Sequence, residues 1–506
     1  MTMQPLMEFE RFAQIYETGA PQLLRQVLVG DCETPVAAFL KLRHATSGPA
    51  FLLESVEGGA VRGRYSMIGL EPDLIWRCHH GQASLCRRAL GEAFLPDPRP
   101  AFESLRALLE ESAIPEAEGL PPMASGVFGY LGYDMVRLME RLPDPKETGT
   151  GVPDAILTRP TLMVVFDSVR DEIHVVTPVR HMPGVGARHA YERAQERLEA
   201  VVQALEGALP AEADIDIANL PEPATTSNTS EAEYLEMVDK AKEYIRAGDI
   251  FQVVLSQRFE APFALPPFAL YRSLRRINPA PFLCYLDFGD FQIVCSSPEI
   301  LVRLRDDTVT IRPIAGTRRR GATEAEDNAL AEELLADPKE RAEHLMLLDL
   351  GRNDVGRVAE IGTVKVTDSF FIERYSQVMH IVSNVEGKID PKHDSLSALI
   401  AGFPAGTVSG APKVRAMEII DELERDARGA YAGCIGYFGA NGEMDTCIVL
   451  RTAVVKDGRM HVQAGAGIVY DSNPASEQEE CINKAKALFR AAEEAIRFAA
   501  RTGRGQ

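Results

Sequence analysis

The chain has 506 residues, of which 45% are hydrophobic and 25% are charged, the composition of an ordinary globular protein. Its formal net charge of −20 argues against nucleic acid or an anionic membrane surface as a general partner. An anionic substrate would therefore need a locally basic site. The sequence shows no apolar run of 18 residues, so we expect no membrane span. It shows no apolar stretch following its first residues, so we expect no secretory signal and a cytoplasmic location.

Cysteine usage bears on the redox compartment. The eight cysteines are spread along the chain with no C-x-x-C pair, so we expect reduced, buried thiols and neither a disulfide framework nor a zinc site. They are Cys32, Cys78, Cys86, Cys284, Cys295, Cys434, Cys447 and Cys481.

The N-terminal third is dominated by short apolar segments, as at 51–55, 126–130 and 162–166, which predict strands. Apolar residues at helical spacing then predict a helix at about 186–206. The next stretch, 207–230, is acidic, rich in proline and without aromatic residues. This composition predicts a linker between two regions.

A second helix follows the linker. Ser230 and Glu233 form a capping-box pattern, and Gly248 ends the segment. Longer strands are predicted further along the chain. They lie at 250–255, 447–452 and 460–464.

The order of these elements indicates the fold class. Helices and strands interleave without a regular βα alternation, which favours an α+β fold. We predict an N-terminal region 1–206, a linker 207–230, a catalytic region 231–495 and a tail 496–506.

Two pairs of glutamates are spaced three residues apart near predicted helix starts: Glu340 with Glu343, and Glu477 with Glu480. This spacing places both carboxylates of a pair on one helix face. Two such faces could converge on one Mg²⁺ ion, which prefers oxygen ligands and takes one or two carboxylates together with an anionic substrate. The alternative is that both pairs are ordinary solvated helix faces.

The helices under these pairs have start signals. Asp337 before a proline predicts the first start, and Ser476 with Glu479 forms a capping-box pattern at the second. Lys484 lies on the same face as the second pair, so that face could hold a metal and an anion together. A surface pair of Glu480 and Lys484 is the alternative.

Three further features bear on anion binding or catalysis. The glycines on either side of Ala466, Gly465 and Gly467, could direct N–H groups at a carboxylate, or mark a bulge or turn. Arg451 ends an apolar strand, where an unpaired charge would be costly unless it faces a ligand. His380 stands alone in an apolar segment and is more typical of a hydrogen-bonded core histidine.

Several segments together resemble one known family, the chorismate-utilising enzymes, and most closely the anthranilate synthase large subunits. The resemblance is most specific from about 230 to 490 and thinner in the N-terminal third. It implies large antiparallel sheets packed in a sandwich with surrounding helices. The segments are 248–259, 296–299, 312–321, 343–354, 406–413 and 463–469, with 52–55 and 63–65.

The resemblance implies a lyase reaction at the start of tryptophan biosynthesis. Ammonia adds to C2 of chorismate while the C4 hydroxyl leaves, and the intermediate then loses pyruvate to give anthranilate. Glu299 matches the general acid for the departing hydroxyl, and His380 matches the histidine implicated in pyruvate elimination. Thr407 and Gln252 also fall on catalytic positions.

The resemblance assigns binding residues as well. It places Mg²⁺ on Glu343 and Glu480, with Glu340 and Glu477 in supporting positions. The positions that would contact chorismate are Gly316, Thr317, Tyr437, Arg451, Gly465, Ala466, Gly467 and Lys484.

Two residues bear on the branch of the family. Ala315 stands where the para-aminobenzoate branch usually carries a nucleophilic lysine. Gln252 replaces the lysine with which isochorismate and salicylate synthases activate water, and a neutral amide is a poor base, so ammonia should be preferred. Aminodeoxychorismate synthase remains a rival within the family, and a catalytically silent amino-acid-binding regulator is a rival of another class.

The resemblance also implies regulation and a partner. Segments 52–55 and 278–283 resemble the two halves of a feedback site for tryptophan. The chain shows no glutaminase pattern, so a separate glutamine amidotransferase subunit is implied, in a heterotetramer of two large and two small subunits; free ammonia should still serve. The tryptophan positions are Glu54, Ser55, Pro281, Phe282 and Leu283.

Overall fold

The protein is described by a computed structural model over residues 7–57, 61–88, 91, 93–114, 120–121, 123–143, 145–146, 149–210, 224–375 and 378–499. Short 3₁₀ helices lie at Tyr133–Leu138 and Gly406–Val408. The α-helices within these ranges are α1 (Phe9–Glu17), α2 (Pro35–Ala45), α3 (Ala101–Ser112), α4 (Ala187–Glu206), α5 (Glu231–Ala247), α6 (Pro267–Ile277), α7 (Glu324–Ala336), α8 (Pro338–Gly356), α9 (Ser395–Gly402), α10 (Lys413–Leu423) and α11 (Pro474–Ala499).

Strands supply the rest of the framework. They are β1 (Gln22–Val29), β2 (Ala50–Glu57), β3 (Val61–His79), β4 (Gln82–Arg87), β5 (Leu95–Pro96), β6 (Gly126–Leu131), β7 (Ala155–Asp167), β8 (Glu172–Val179), β9 (Thr226–Ser227), β10 (Gln252–Pro262), β11 (Phe282–Asp287), β12 (Phe291–Ser297), β13 (Ile300–Arg305), β14 (Thr308–Ile311), β15 (Ile314–Arg319), β16 (Lys365–Arg374), β17 (Val378–Lys388), β18 (Gly410–Ala411), β19 (Cys434–Gly439), β20 (Met444–Ile448), β21 (Thr452–Lys456) and β22 (Arg459–Ile468).

These strands form two connected sheets, antiparallel throughout the part of the chain that the structure describes. The first sheet runs β1-β8-β7-β3-β2-β11-β12-β21-β22-β10, with β9 and β18 against β10. The second sheet runs from β7 through β6-β19-β20-β13-β14-β17, with β15 and β16 against β17. The expected α+β class with large antiparallel sheets is confirmed.

The sheets are joined because β3 and β7 each serve both of them. Residues 65–70 of β3 pair with 162–167 of β7 in the first sheet. The register then shifts between Pro72 and Leu74, next to Glu71 with a φ of +49°. Beyond the shift the same two strands continue beside β4 and β6 in the second sheet. A change of direction in two long strands therefore folds one sheet over the other.

The core lies in three layers. The middle layer is the inside of the sandwich, where Phe51 of β2 stacks on Phe128 of β6 with ring centroids 4.7 Å apart. One outer layer packs α1, α2, α4, α6 and α11 on the first sheet. The other places α3 and α9 on the second sheet, while α5 and α10 pack mainly against β10 of the first sheet. The expected sandwich with surrounding helices is therefore present.

Strands from the two ends of the chain pair directly. In the first sheet, β2 pairs with β11 from Ala50 opposite Asp287 to Ser55 opposite Phe282. In the second sheet, β6 pairs with β19 over its whole length. Each sheet is therefore built from both predicted regions of the sequence.

The helices next to the predicted linker agree with the sequence patterns. Helix α4 ends at Glu206, and Ser230 and Glu233 form the capping box of α5, which Gly248 ends with a φ of +86°. Most of the predicted linker, 211–223, lies outside the described residues, whereas β9 falls within its last part. The predicted tail lies outside from residue 500 onward, and α11 occupies its first positions.

One predicted strand is wrong in its extent. The apolar run 447–452 is not a single strand, because β20 ends at Ile448 and β21 begins at Thr452 in the other sheet. No helix in the described part of the chain is long and apolar enough to span a membrane.

Candidate active site

The candidate site lies where the chain passes from one sheet to the other. The chain crosses between β12 and β13, at Glu299, and again between β20 and β21, at Arg451. The two crossings are tied together: the Ser296 N–H donates to the Arg451 carbonyl at 3.2 Å, and the Ile448 N–H donates to the Glu299 carbonyl at 3.0 Å. A carboxyl and a guanidinium thus share one gap in the sheets.

Glu299 is held as a weak acid. Glu299 is only 6% exposed, and burial raises the pKa of its carboxyl to about 8. The Thr407 hydroxyl donates to Oε1 of Glu299 at 3.1 Å, which opposes the rise because it favours the carboxylate. The carboxyl is therefore mostly protonated at neutral pH and can donate a proton.

His380, in β17, has the opposite role available. Its Nδ1 lies 3.0 Å from the carbonyl oxygen of Gly316 and 3.1 Å from the Thr317 hydroxyl. A carbonyl only accepts, so Nδ1 carries the proton and Nε2 keeps its lone pair. Burial lowers the pKa of His380 to about 4, and the positive charges of Arg451 and Lys484 add to the fall. The ring is therefore a neutral base at neutral pH.

Arg451 is a charged side chain with no partner among the residues that the structure describes. It has a φ of +48° at the break between β20 and β21. Burial lowers its pKa, yet no hydrogen bond or ion pair joins its guanidinium to a residue within the described ranges. A half-buried guanidinium left in this way favours an anionic ligand, because desolvating an unpaired charge is costly.

Backbone N–H groups line the same gap. Gly465 and Gly467 pair with Ser256 and Val254 in β10, and both partners donate their N–H groups to acceptors outside β22. These are non-hydrogen-bonded pairs, so the glycine N–H groups also point away from β10. On that side β21 pairs with β22 only up to Val462. The N–H groups therefore face an open edge, and the segment, including Ala466, is a regular strand with no bulge.

Lys484 of α11 connects this edge to the acidic residues. Its ammonium donates to the Gly465 carbonyl at 2.9 Å and pairs with Glu480 at 2.7 Å. The predicted surface pair of Glu480 and Lys484 thus exists, but it lies against the strand edge of the candidate site.

The two glutamate pairs approach each other on α8 and α11. Burial raises the pKa of Glu343, and the carboxylates of Glu340 and Glu480 add to the rise. The pKa of Glu477 is likewise raised, by burial and by Glu480. Within the described ranges no three of these carboxylates lie within 4.8 Å of one another. The neighbouring carboxylates thus repel one another without forming a closed cluster of three. This arrangement fits a divalent cation held by one or two carboxylates and by water.

The partners of individual carboxylates differ. Glu340 pairs with Arg318 at 3.1 Å, whereas the partner of Glu343 among the described residues is the neutral amide of Gln252, which donates to it at 2.9 Å. The other amide atom of Gln252, Oε1, is buried with no hydrogen-bond partner in the described part of the chain. A β-carbon on Gly467 would lie 2.6 Å from Gln252 Nε2, so the Gln252 amide packs closely against the glycine backbone. Unlike Glu340, the half-buried Glu343 carboxylate has no ion-pair partner in the described ranges, so a bound cation would stabilise it.

The helix starts under these pairs were predicted with unequal success. The Asp337 side chain accepts the N–H groups of Lys339 and Glu340 at the start of α8, as expected. The second predicted cap is wrong: α11 begins at Pro474, so Ser476 lies inside it and donates its N–H to the Asn473 side chain at 3.2 Å.

One predicted contact residue does not reach the site. Tyr437 faces the interior of the sandwich, where its ring lies 5.5 Å from that of Phe128 and its hydroxyl meets Arg305. Tyr431 was missed and is better placed, since a β-carbon built on Gly465 would lie 2.9 Å from its hydroxyl. Its signal was the glycine-rich segment around it, which marks a close approach of backbones.

The two segments assigned to tryptophan are neighbouring strands. Ser55 lies opposite Phe282, and Glu54 lies opposite Leu283, in the β2–β11 pair, and Pro281 comes just before this pairing. Leu283 is buried and Phe282 is half-buried. Two segments far apart in sequence thus form one surface.

Glu54 is already satisfied by protein groups. It accepts a hydrogen bond from the Tyr271 hydroxyl at 2.6 Å and two from Arg275, at 2.6 and 3.0 Å. It therefore fixes α6 against the β2–β11 pair.

Known proteins resemble the chain over nearly its whole length. The family described as chorismate binding enzyme matches residues 52–490. Anthranilate synthase component 1 of Cereibacter sphaeroides is 56% identical over 500 residues, with 98% of this chain and 99% of that protein covered. The protein of the same name from Pseudomonas putida is 46% identical over 494 residues, with 96% and 97% covered.

Solved structures agree. Anthranilate synthase component I from Streptococcus pneumoniae TIGR4 superposes with a TM-score of 0.75 at 38% identity, covering 91% of this chain and 98% of that one. The menaquinone-specific isochorismate synthase from Escherichia coli has a TM-score of 0.70 at 19% identity and 96% and 98% coverage, which shows a shared fold. The chain therefore belongs to the chorismate binding enzyme family and, within it, to the anthranilate synthase component 1 proteins.

Proposed function

We propose that this lyase converts chorismate and ammonia to anthranilate, pyruvate and water, the first step of tryptophan biosynthesis. Ammonia forms a bond to C2 of chorismate, the double bonds of the ring shift, and the C4–O bond breaks to release water. Loss of the C2 proton and of the enolpyruvyl group then makes the ring aromatic. One observation carries the proposal: a protonated Glu299, a neutral His380 and an Arg451 without a partner in the described ranges meet at one gap in the sheets.

Glu299 would act in the first step. A hydroxyl leaves slowly as hydroxide, so a neutral carboxyl that protonates it as the C4–O bond breaks lowers the barrier. With a pKa of about 8 the carboxyl holds that proton at neutral pH. Thr407 orients the carboxyl through its hydrogen bond.

His380 would act in the second step. Its Nδ1–H is fixed by the Gly316 carbonyl, which leaves Nε2 to accept the C2 proton as the bond to the enolpyruvyl oxygen breaks. Thr317, beside Nδ1, helps to hold the ring. Because its pKa is about 4, the imidazole is not lost to protonation at neutral pH.

Binding of the substrate carboxylates follows from the positive side of the gap. Arg451 and the N–H groups of Gly465 and Gly467 would receive one carboxylate, with Ala466 between them and Lys484 behind them. This cluster overcomes the net negative charge of the protein locally.

Mg²⁺ would be held by Glu343 and Glu480, with Glu340 and Glu477 supporting them. When bound, the ion would neutralise and orient the ring carboxylate of chorismate and polarise it as a Lewis acid. The raised pKa of Glu343, caused by burial and by its acidic neighbours, supports this assignment.

The choice of ammonia over water rests on the weak basicity near C2. Gln252 is a neutral amide hydrogen-bonded to Glu343, and an amide does not deprotonate water. Ammonia needs no such help. Ala315 offers no nucleophile, which disfavours the para-aminobenzoate branch.

Two further parts of the proposal concern partners. A glutamine amidotransferase subunit would deliver ammonia, in a heterotetramer of two large and two small subunits. Tryptophan would bind at Ser55, Pro281, Phe282 and Leu283, with Glu54 holding α6 against the strands, and would inhibit the enzyme.

The test is product identity. The isolated chain, supplied with chorismate, ammonium and Mg²⁺, should form fluorescent anthranilate and an equal amount of pyruvate. Accumulation of 4-amino-4-deoxychorismate would instead assign the chain to the rival synthase. Tryptophan binding without any turnover would assign it to the silent regulators.

A further inference from the structure

Three cysteines that are far apart in sequence meet inside the sandwich. Cys284 of β11 and Cys295 of β12 lie directly opposite each other in the first sheet. Cys447 comes from β20 in the second sheet and faces them across the core. The three sulfur atoms all lie within 4.8 Å of one another. The cluster therefore bridges the two layers of the fold.

The surroundings are apolar and closed. Cys284, Cys295 and Cys447 are 4%, 0% and 1% exposed, and all three are free thiols. The Cys295 thiol donates to the Leu450 carbonyl at 3.7 Å, and the Thr452 hydroxyl donates to the same carbonyl at 2.8 Å. Loss of the Cys295 proton would therefore leave this carbonyl with its hydrogen bond from Thr452.

We propose that these three thiols bind one divalent thiophilic ion of the zinc and cadmium class. Three S–H bonds would break, three S–metal bonds would form, and the three protons would pass to solvent. Thiolates are the ligands that such ions favour. The site is independent of the proposed chorismate and Mg²⁺ residues, which offer oxygen ligands.

Charge selects the valence of the ion. Three thiolates around a divalent ion leave a net charge of −1, whereas a monovalent copper ion would leave −2 in the same apolar core. Since buried charge is costly, the divalent ion is favoured. The ligands come from both sheets, so the ion would also fasten β20 to β11 and β12.

The ion can be supplied while the chain folds, before the cysteines are buried. A Cys32→Ser chain, which lacks the exposed thiol, would be produced in cells grown with added Cd²⁺. Native mass spectrometry should find one cadmium per chain, and the near-ultraviolet spectrum should show sulfur-to-cadmium charge transfer. That absorption separates thiolate-bound cadmium from cadmium on carboxylates.

Variants locate the ion. In Cys284→Ala and in Cys447→Ala, the amount of sulfur-bound cadmium per chain should fall at least about tenfold, since each variant removes one of three ligands. Cys434→Ala is the matched control, because Cys434 is equally buried but lies in another part of the core; it should retain the ion. Loaded Cys32→Ser protein should also unfold at a higher temperature than metal-free protein.

Three results would overturn the proposal. One is a folded Cys32→Ser protein that carries no sulfur-bound cadmium. Another is a charge-transfer band that survives both cluster variants. The third is a titration that finds two thiols missing, which would show a disulfide at this place. If the variants do not fold, equal unfolding temperatures for loaded and metal-free Cys32→Ser protein would decide against the site.

Discussion

Burial moves the pKa values of Glu299 and His380 in opposite directions, upward for the carboxyl and downward for the imidazole. Each loses hydration in the gap between the sheets, so the neutral form of each is favoured. The result is a carboxylic acid that can give a proton beside an imidazole that can take one. Neither state needs a neighbouring charge as its main cause.

Removing the Thr407 hydroxyl should move the activity profile to higher pH. This hydroxyl favours the carboxylate of Glu299, so Thr407→Val should raise a pKa that is already about 8. A hydrogen bond worth about 1 kcal/mol corresponds to a shift of roughly 0.7 pH units. The basic limb of kcat/KM for chorismate, measured at constant free ammonia, should shift upward by about that amount. Glu299→Gln should lack the limb altogether, and an unshifted limb in Thr407→Val would count against Glu299 as the acid.

Removing the charge of Glu343 should weaken the response to Mg²⁺. Glu343→Gln keeps the shape of the side chain, and it should raise the Mg²⁺ concentration for half-maximal activity at least about tenfold. Glu479→Gln changes an exposed residue of α11 and is the control. Binding of Mn²⁺, followed by water-proton relaxation, should weaken in the same proportion. Equal Mg²⁺ responses in the two variants would refute the metal assignment.

At the scale of elements, local patterns predicted helix ends better than sheet crossings. Ser230, Glu233 and Gly248 lie at fixed short spacings, and they bound α5 as expected. The run 447–452 looked like one strand, because four apolar residues precede Arg451 in it. Its break at Arg451 depends on pairing with strands distant in sequence, β13 in one sheet and β12 in the other.

The same limit explains the two tyrosines. Tyr431 and Tyr437 stand in one glycine-rich stretch, and nothing local says which of them faces the gap. Tyr431 lies in the turn before β19, so its direction is set by tertiary contacts and not by strand alternation. Tyr437 lies in the β19–β20 pair, where it faces the inside of the sandwich.

The β2–β11 pair makes a prediction about tryptophan. Phe282→Ala should raise the tryptophan concentration for half-inhibition by at least about tenfold, because it removes an aromatic wall of the proposed site. The value of kcat without tryptophan should stay within about twofold. Phe288→Ala is the control, since this residue follows the other end of β11. If the tryptophan concentration for half-inhibition were the same in both variants, the tryptophan site would lie elsewhere.

At the scale of the whole molecule, the fold class could be predicted from the sequence. The pairing of strands from the two ends of the chain could not. The interleaved order of helices and strands indicated an α+β fold. Which strands become neighbours is set by contacts such as β2 with β11 and β6 with β19, and no local pattern encodes them. The division into regions 1–206 and 231–495 remains a prediction.

The shared sheets predict how the chain behaves when divided. Fragments 1–210 and 224–506, produced together, should associate and recover anthranilate formation to within about tenfold, because each sheet needs strands from both. Fragment 224–506 alone should fail to fold, since β11 and β19 would each lose a partner strand. Circular dichroism and activity would decide this. A fragment 224–506 that folds and catalyses alone would contradict the shared core.

The central claim is that the gap where the chain changes sheets holds chorismate through Arg451. The most direct measurement is the KM for chorismate of Arg451→Gln, beside Arg459→Gln, which changes a surface arginine paired with Glu260. Losing a charged hydrogen bond worth about 1.5–3 kcal/mol should raise KM by roughly 10- to 150-fold in the first variant and leave it unchanged in the second. An Arg451→Gln enzyme with the KM of Arg459→Gln would contradict the account.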